Sequence, residues 1–407
     1  MSDEAGAPTD PTRRRVLAAL AGAGGLALTG RAGAEDAPAP DPTKVPGRPP
    51  SSLGERSPHA RLERQSAFGA ISGTPLQDLH GTITPADLHF ERHHAGIPSI
   101  DPTHHELLIH GMVERPLRFS LPELLRFPAV TRLAFLECSG NLRIDAGEET
   151  TPQFLCGLTS QSEWTGVALA TLLREVGVKP GAKWLLAEGS DASVMTRSIP
   201  IEKALDDSIV AYAQNGEPLR PAQGYPIRLF NPGWEGNTSV KWLRRIEVSD
   251  QPFMTREETA KYTEPIGGGR ARQFSFTMDA RSIITTPTFP ATLERGWHEL
   301  RGIAWSGRGR ITRVEVSLDG GRRWQDARLA GPVLPKAHTR FTLPFRFEGA
   351  PMELASRAID ETGYVQPTVE ALIEARGIGS VPYHLNPICH WGIERDGRVL
   401  YKPLAWG

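Results

Sequence analysis

The pattern of the chain changes once, after Asp250, and that change decides the architecture. From about Phe90 to Asp250, apolar strand-like runs alternate with short amphipathic helices, which predicts a mixed α+β domain. Ser120-Leu121-Pro122-Glu123 is a capping box that opens a helix through Leu124 and Leu125. Val167, Leu169, Leu172, Leu173 and Val176 repeat at helical spacing, and Gly177 stands where a left-handed residue closes a helix. Strands are predicted at Leu107 to Val113, Arg132 to Glu137, Trp184 to Glu188, Ser208 to Ala213, Pro226 to Phe230 and Val240 to Val248. Beyond Asp250, a loop with Gly267-Gly268-Gly269 leads into short alternating strands. Ile311 to Leu318 turns at Asp319-Gly320-Gly321 and returns as Arg323 to Leu329; Phe341 to Phe347 and Met352 to Ile359 follow. Several strands in roughly 110 residues with no helical pattern predict an immunoglobulin-like sandwich.

Composition narrows the class. With 39% hydrophobic and 23% charged residues and a net charge of -1 over 407 residues, the chain is no collagen, coiled coil or wholly disordered segment. Near-neutrality also argues against a nucleic-acid partner. Residues 1–34 hold Thr12-Arg13-Arg14-Arg15-Val16-Leu17-Ala18, a small-residue apolar stretch to Thr29, and Ala32-Gly33-Ala34. This is the pattern of a twin-arginine export signal with its cleavage site. The stretch is shorter than the roughly 20 residues of a spanning helix, so a periplasmic protein without a membrane anchor is expected. Residues 35–60, dense in proline, read as an extended leader. Domains are then expected at 61–255 and 275–380, with a C-terminal extension at 381–407.

Three cysteines, Cys138, Cys156 and Cys389, cannot staple such a chain, and one thiol must stay unpaired. Cys138 ends an apolar strand in Leu136-Glu137-Cys138-Ser139-Gly140-Asn141-Leu142-Arg143. A lone cysteine is more often a buried hydrophobe, yet a core cysteine has no need of a Ser-Gly-Asn loop. Arg143 is expected to favour the thiolate, the form that binds soft metals. His80, His89, His93, His94, His104, His105 and His110 crowd one stretch, but no pair has zinc-site spacing. Arg92-His93-His94 before Pro98 reads better as a rigid loop with a cation for an oxyanion. A third group joins Tyr212, Asn215-Gly216, Arg228, Pro232-Gly233-Trp234-Glu235-Gly236-Asn237 and Lys241-Trp242. Its glycines let backbone approach a ligand, and Arg228 and Lys241 suit a phosphate.

Together these segments resemble the sulfite oxidase family of molybdenum enzymes. That family's Cys-Ala-Gly-Asn-x-Arg loop matches Cys138, Gly140, Asn141 and Arg143, with Ser139 for Ala. Its aromatic-x-Arg-Asn-His-x-x-x-Pro matches Phe90, Arg92, His94 and Pro98. Its Ala-Tyr-x-x-Asn-Gly-x-Pro-Leu matches Tyr212, Asn215 and Gly216, and its Pro-Gly…Val-Lys-Trp matches Pro232, Gly233, Lys241 and Trp242. In the second half, Trp305 to Arg310, Arg313 to Trp324 and Val365-Gln366-Pro367 resemble the family's dimerisation domain. Gln223 stands where animal and plant enzymes have a cofactor-contacting histidine, and Phe154 where they have a pocket tryptophan. Arg92-His93-His94, Trp164-Thr165-Gly166-Val167 and the Pro232 to Asn237 run are similar to the SoxC-type molybdenum subunit of sulfane dehydrogenase.

The resemblance implies one molybdenum-molybdopterin in domain 61–255, with Cys138 as the metal's protein ligand. Phe90, Arg92, His94, Cys138, Arg228, Gly236, Lys241 and Trp242 would bind the cofactor. Arg92, Arg143, Tyr212 and Arg310 (or Arg308, one match-shift away) would serve catalysis. Domain 275–380 would make a homodimer, with the tail from His384 to Tyr401, including Trp391, covering a subunit contact or forming an edge strand. The expected chemistry is oxidation of carrier-bound sulfane sulfur by oxo transfer. No Cys-x-x-Cys-His occurs, so no haem is expected on this chain, and electrons would pass to a c-type cytochrome subunit. The rival readings are a sulfite dehydrogenase acting on free sulfite, a methionine sulfoxide reductase, and an exported binding protein with no molybdenum.

Overall fold

The computed structural model describes Asp41, Lys44 and residues 46–67, 69–377 and 383–406. The twin-arginine segment lies outside the described residues, and the described residues from 46 to 60 form no helix or strand. From Arg61 onward the chain folds as one unit.

Two five-stranded sheets carry the first half. One runs Glu217–Pro218, Ile209–Gln214, Thr159–Ala168, Ala129–Glu137, with Arg228–Phe230 also pairing Ile209–Gln214. The other runs Leu117–Ser120, Glu106–Gly111, Leu243–Ser249, Trp184–Gly189, Thr196–Pro200; its Glu106–Gly111 and Leu243–Ser249 strands are parallel. Ser120 and Glu123 cap the helix Leu121–Leu124 reciprocally, and Gly177, at φ 68, ends Leu169–Val176. Leu169, Leu172, Leu173 and Val176 of that helix are fully buried against Leu107, Leu185 and Ile246.

The long strand Thr159–Ala168 was absent from the sequence expectation, and its burial explains why. Its Ser160, Gln161 and Ser162 are buried polar residues, so it shows neither alternation nor an apolar run. Each finds a partner: Ser160 Oγ lies 2.6 Å from Thr74 Oγ1, Gln161 Nε2 donates to Thr82 O at 2.7 Å, and Gln214 Nε2 donates to Ser162 Oγ at 2.8 Å.

The second half is a sandwich of two sheets. One has the order Arg281–Thr286, Gly296–Trp305, Thr339–Phe347, Arg328–Ala330. The other has Gln325–Asp326, Ile311–Ser317, Met352–Asp360, His390–Ile393, Val399–Lys402. The last two strands correct the expected boundary, because the tail is integral to the sheet rather than an extension past it. Trp391 and Tyr401 stack edge-on at 5.4 Å inside the core, and Val399–Lys402 forms the sheet's edge strand, the other reading of the tail. A helix, Val369–Arg376, also interrupts a region read as all strand. One apolar cluster joins Phe135, Leu155 and Cys156 of the first half to Ile303, Trp305 and Phe341 of the sandwich. That shared core fixes the sandwich against the strand that ends at Cys138.

Candidate active site

Strand Ala129–Glu137 delivers Cys138 to a loop held on every side. Cys138 N donates to Leu158 O at 3.0 Å, and Asn141 N closes a turn onto Cys138 O at 3.0 Å. The Asn141 side chain accepts from Leu158 N at 2.8 Å and donates to Glu137 Oε1 at 2.9 Å, which explains an asparagine three residues after the thiol. Glu137 and Glu235 meet as parallel bridge partners. There Gly236 comes so close that a Cβ would stand 2.7 Å from Glu137 O, a contact no side chain tolerates.

Cys138 opens into a cleft of about 670 Å³, counted to its mouth. Phe90, Arg92, His94, Arg228, Gly236, Lys241 and Trp242 line it with Cys138, so the eight residues expected to hold a cofactor converge on one space. His93, Asp191, Gln223, Asn237 and Tyr262 complete much of the wall.

The charges in this wall are not balanced. Arg92, Arg228 and Lys241 face the cleft against the single carboxylate of Asp191, which accepts from Met195 N at 3.0 Å. Arg228 is buried with only neutral partners: Gln223 O at 3.1 Å, Ser239 O at 2.8 Å and the Trp164 ring at 5.0 Å. Burial alone pulls its guanidinium down to about 9. Lys241 Nζ donates to Ala222 O at 3.1 Å and Arg92 O at 3.2 Å and meets His93 Nδ1 at 2.8 Å. Burial first, then Arg228, holds Lys241 well below the ordinary lysine range. Desolvation and the adjacent Arg92 lower His94 to about 4, so its ring is neutral at pH 7. Burial also raises the Cys138 thiol, the largest effect on it, while Arg92 acts in the opposite sense.

Three residues expected to be catalytic lie elsewhere. Arg143 turns from the cleft, forming a fork to Asp145 with two bonds of 2.9 Å and lying 4.7 Å from the Phe154 ring. It lines a neighbouring hollow with Phe154, separate from the cleft that Cys138 lines. Arg143 therefore does not favour the Cys138 thiolate as expected; the Gly140 backbone and then Arg92 do, and burial outweighs both. Tyr212, half-buried on Ile209–Gln214, packs on the core under the second sheet. Arg310 is exposed and donates to Glu361 Oε2 at 2.7 Å, while Arg308 is taken by Asp279. Neither lines the cleft.

Tyr262 is the phenol the sequence reading missed. It follows a π-helical turn, Glu257–Lys261, between the two expected domains, and nothing local to it marks a site. Arg197 holds this turn by donating to Glu258 at 2.8 Å, and Thr196 Oγ1 donates to Glu257 at 2.9 Å. Tyr262 Oη stands 3.2 Å from His94 Nε2.

The wall fits an anionic cofactor with a phosphate. Arg228 Nε and Asn237 Oδ1 are buried without a protein partner, one donor and one acceptor facing ligand space. Among the described residues no group of three or more His, Cys, Asp or Glu could hold a metal ion. Any metal here therefore depends on one thiol and on sulfur or oxygen brought by the cofactor itself.

Comparison with known proteins gives the same outline. Residues 94–257 match the oxidoreductase molybdopterin binding domain, and residues 272–390 match the Mo-co oxidoreductase dimerisation domain. The chain is 32% identical to sulfite oxidase of Gallus gallus over 381 residues, covering 86% of this chain and 82% of that protein. It is 36% identical to an NADH nitrate reductase of Phaseolus vulgaris, but spans only 36% of that protein's length. The sulfane dehydrogenase SoxCD of Paracoccus pantotrophus superposes with a TM-score of 0.82 at 44% identity, over 90% of this chain and all of that one.

Proposed function

Because the chain belongs to the sulfite oxidase family of molybdopterin-binding oxidoreductases, we propose that it oxidises reduced sulfur by oxo transfer in the cleft around Cys138. The observation that carries this is the convergence of Cys138 with three cationic side chains, Arg92, Arg228 and Lys241, against one carboxylate in one cleft. Bound there, the molybdenum cofactor supplies the two-electron redox chemistry.

The protein's part is placement and charge. Cys138 would be the metal's protein ligand, because it is the thiol that opens into the cleft. Arg228 and Lys241 would hold the cofactor's phosphate, and Asn237 Oδ1, buried without a protein partner, would accept a hydrogen bond from the cofactor. Arg92 binds the anionic sulfur group and steadies the negative charge that grows as oxygen is transferred. Tyr262, bonded to neutral His94, donates a hydrogen bond at the same face and relays a proton.

The substrate we propose is sulfane sulfur on a carrier protein, with electrons leaving to a c-type cytochrome subunit in the periplasm and a homodimer built through the dimerisation domain. Identity of 44% to a sulfane dehydrogenase, over the whole of its chain, supports this choice. Free sulfite is the second reading, favoured by the likeness to a sulfite oxidase. The test is turnover by the purified enzyme with cytochrome c, given either free sulfite or a persulfide-bearing carrier protein. Faster turnover of the carrier supports the proposal, faster turnover of sulfite replaces it, and turnover of neither overturns both.

A further inference from the structure

The C-terminal segment reaches back to the cysteine loop. His384 N donates to Ser139 O at 2.9 Å, one residue from Cys138. The His384 ring places Nε2 3.1 Å from Glu235 Oε2, one residue from Gly236. Asn237, next along, donates from Nδ2 to Ser139 Oγ at 3.2 Å. His384 therefore bonds the backbone of one segment, at Ser139, and the carboxylate of the other, at Glu235, next to Cys138 and Gly236 respectively.

This contact is built at a cost. His384 is 3% exposed and has φ 55, the left-handed region that a histidine rarely occupies. Glu264 stands 3.9 Å from its ring as a second carboxylate, and Arg197 shares Glu235 with it at 2.8 Å. Next to it, the Tyr383 ring lies 5.4 Å from that of Tyr262 and covers Gly140, where a Cβ would stand 3.8 Å from it. Asn386 Nδ2 then donates to Ala280 O at 2.8 Å, anchoring the segment on the sandwich before strand His390–Ile393 begins.

We propose that His384 is a positioning residue for the Cys138 ligand, tying the Ser139 backbone to the Glu235 carboxylate so that the loop carrying the thiol is held in one position, with Tyr383 packed over Gly140 on the same strap. The inference rests on Cys138 as the ligand. Unlike the thiol itself, His384 does not line the cleft; it acts through two neighbouring loops, as residues behind a metal ligand do.

The test uses holoenzyme of His384→Leu, His384→Gln, Tyr383→Ala and Cys138→Ser, with molybdenum content, the electron paramagnetic resonance spectrum of the one-electron-reduced metal, and kcat and KM. Leu and Gln share the backbone strain, so their difference isolates the bond to Glu235. His384→Leu should retain molybdenum, shift the spectrum and lower kcat by about 10- to 100-fold with little change in KM. His384→Gln should recover both the spectrum and most of kcat. A wild-type spectrum and kcat in His384→Leu would overturn the proposal. Should His384→Leu not fold, Tyr383→Ala decides: a shifted spectrum supports the strap and an unchanged one rejects it. If Cys138→Ser itself leaves the spectrum unchanged, the ligand assignment has failed instead.

Discussion

Trp305 Nε1 donates a 2.6 Å hydrogen bond to Glu137 Oε2, joining the sandwich to the residue immediately before Cys138. The other oxygen of Glu137 accepts from Asn141 Nδ2 at 2.9 Å and from Arg281 at 3.1 Å, so a buried carboxylate gathers three donors. Two of them come from sandwich strands, and the second half of the chain thus sets where the thiol stands. Removing the carboxylate would leave Arg281, 2% exposed, without its anion. Glu137→Ala should cost about 3–5 kcal/mol in chemical denaturation, whereas Glu137→Gln, which keeps the shape, should cost less. A loss under about 1 kcal/mol in the alanine variant would contradict this reading.

The approach of Gly236 to Glu137 has its own consequence. A methyl group there meets backbone, not a flexible side chain, at 2.7 Å. Gly236→Ala should destabilise by about 1–3 kcal/mol and lower molybdenum content per chain, as measured by elemental analysis alongside thermal denaturation. Normal loading in a destabilised protein would separate the loop from cofactor binding.

Tyr262→Phe removes the hydroxyl beside His94 and leaves the ring that Arg197 faces at 4.9 Å. Turnover should fall about 100-fold with molybdenum content unchanged, because proton transfer by a placed side chain contributes on that scale. Steady-state kinetics at saturating substrate checks this, and unchanged kcat would remove Tyr262 from the reaction.

His338 is buried between Phe135 and Trp305, within 3.0 Å of Thr159 Oγ1, and burial lowers it to about 3. The unfolded chain takes up a proton on this ring below about 6.5, while the folded chain resists until about 3. Stability from this group is therefore full above 6.5 and is lost progressively as pH falls toward 3. Between pH 7 and pH 5 the loss is on the order of 2 kcal/mol. His338→Gln should narrow the difference between urea denaturation at these two pH values by about that amount; an unchanged difference would show that His338 titrates freely in the fold.

Much of this site was legible because its residues sit in backbone-defined motifs. Ser120 with Glu123, Gly177, and the Ser139-Gly140-Asn141 loop announce local geometry that the structure reproduces. Phe90, Arg92, Arg228 and Lys241 were placed by motifs far apart in sequence, and the fold brings them together. Arg143, Tyr212 and Arg310 were not legible, because the direction of a long side chain depends on partners such as Asp145, Phe154 and Glu361 that no motif names. Tyr262 and His384 were hidden for a related reason: one follows a π-helical turn held by Arg197, the other lies on a tail whose strands pair only within the finished sandwich.

The most direct test of the account is X-ray absorption at the molybdenum edge of wild type and Cys138→Ser. If Cys138 is the protein ligand, as proposed, the serine variant has one fewer sulfur around the metal. An equal sulfur count in the two proteins would contradict it.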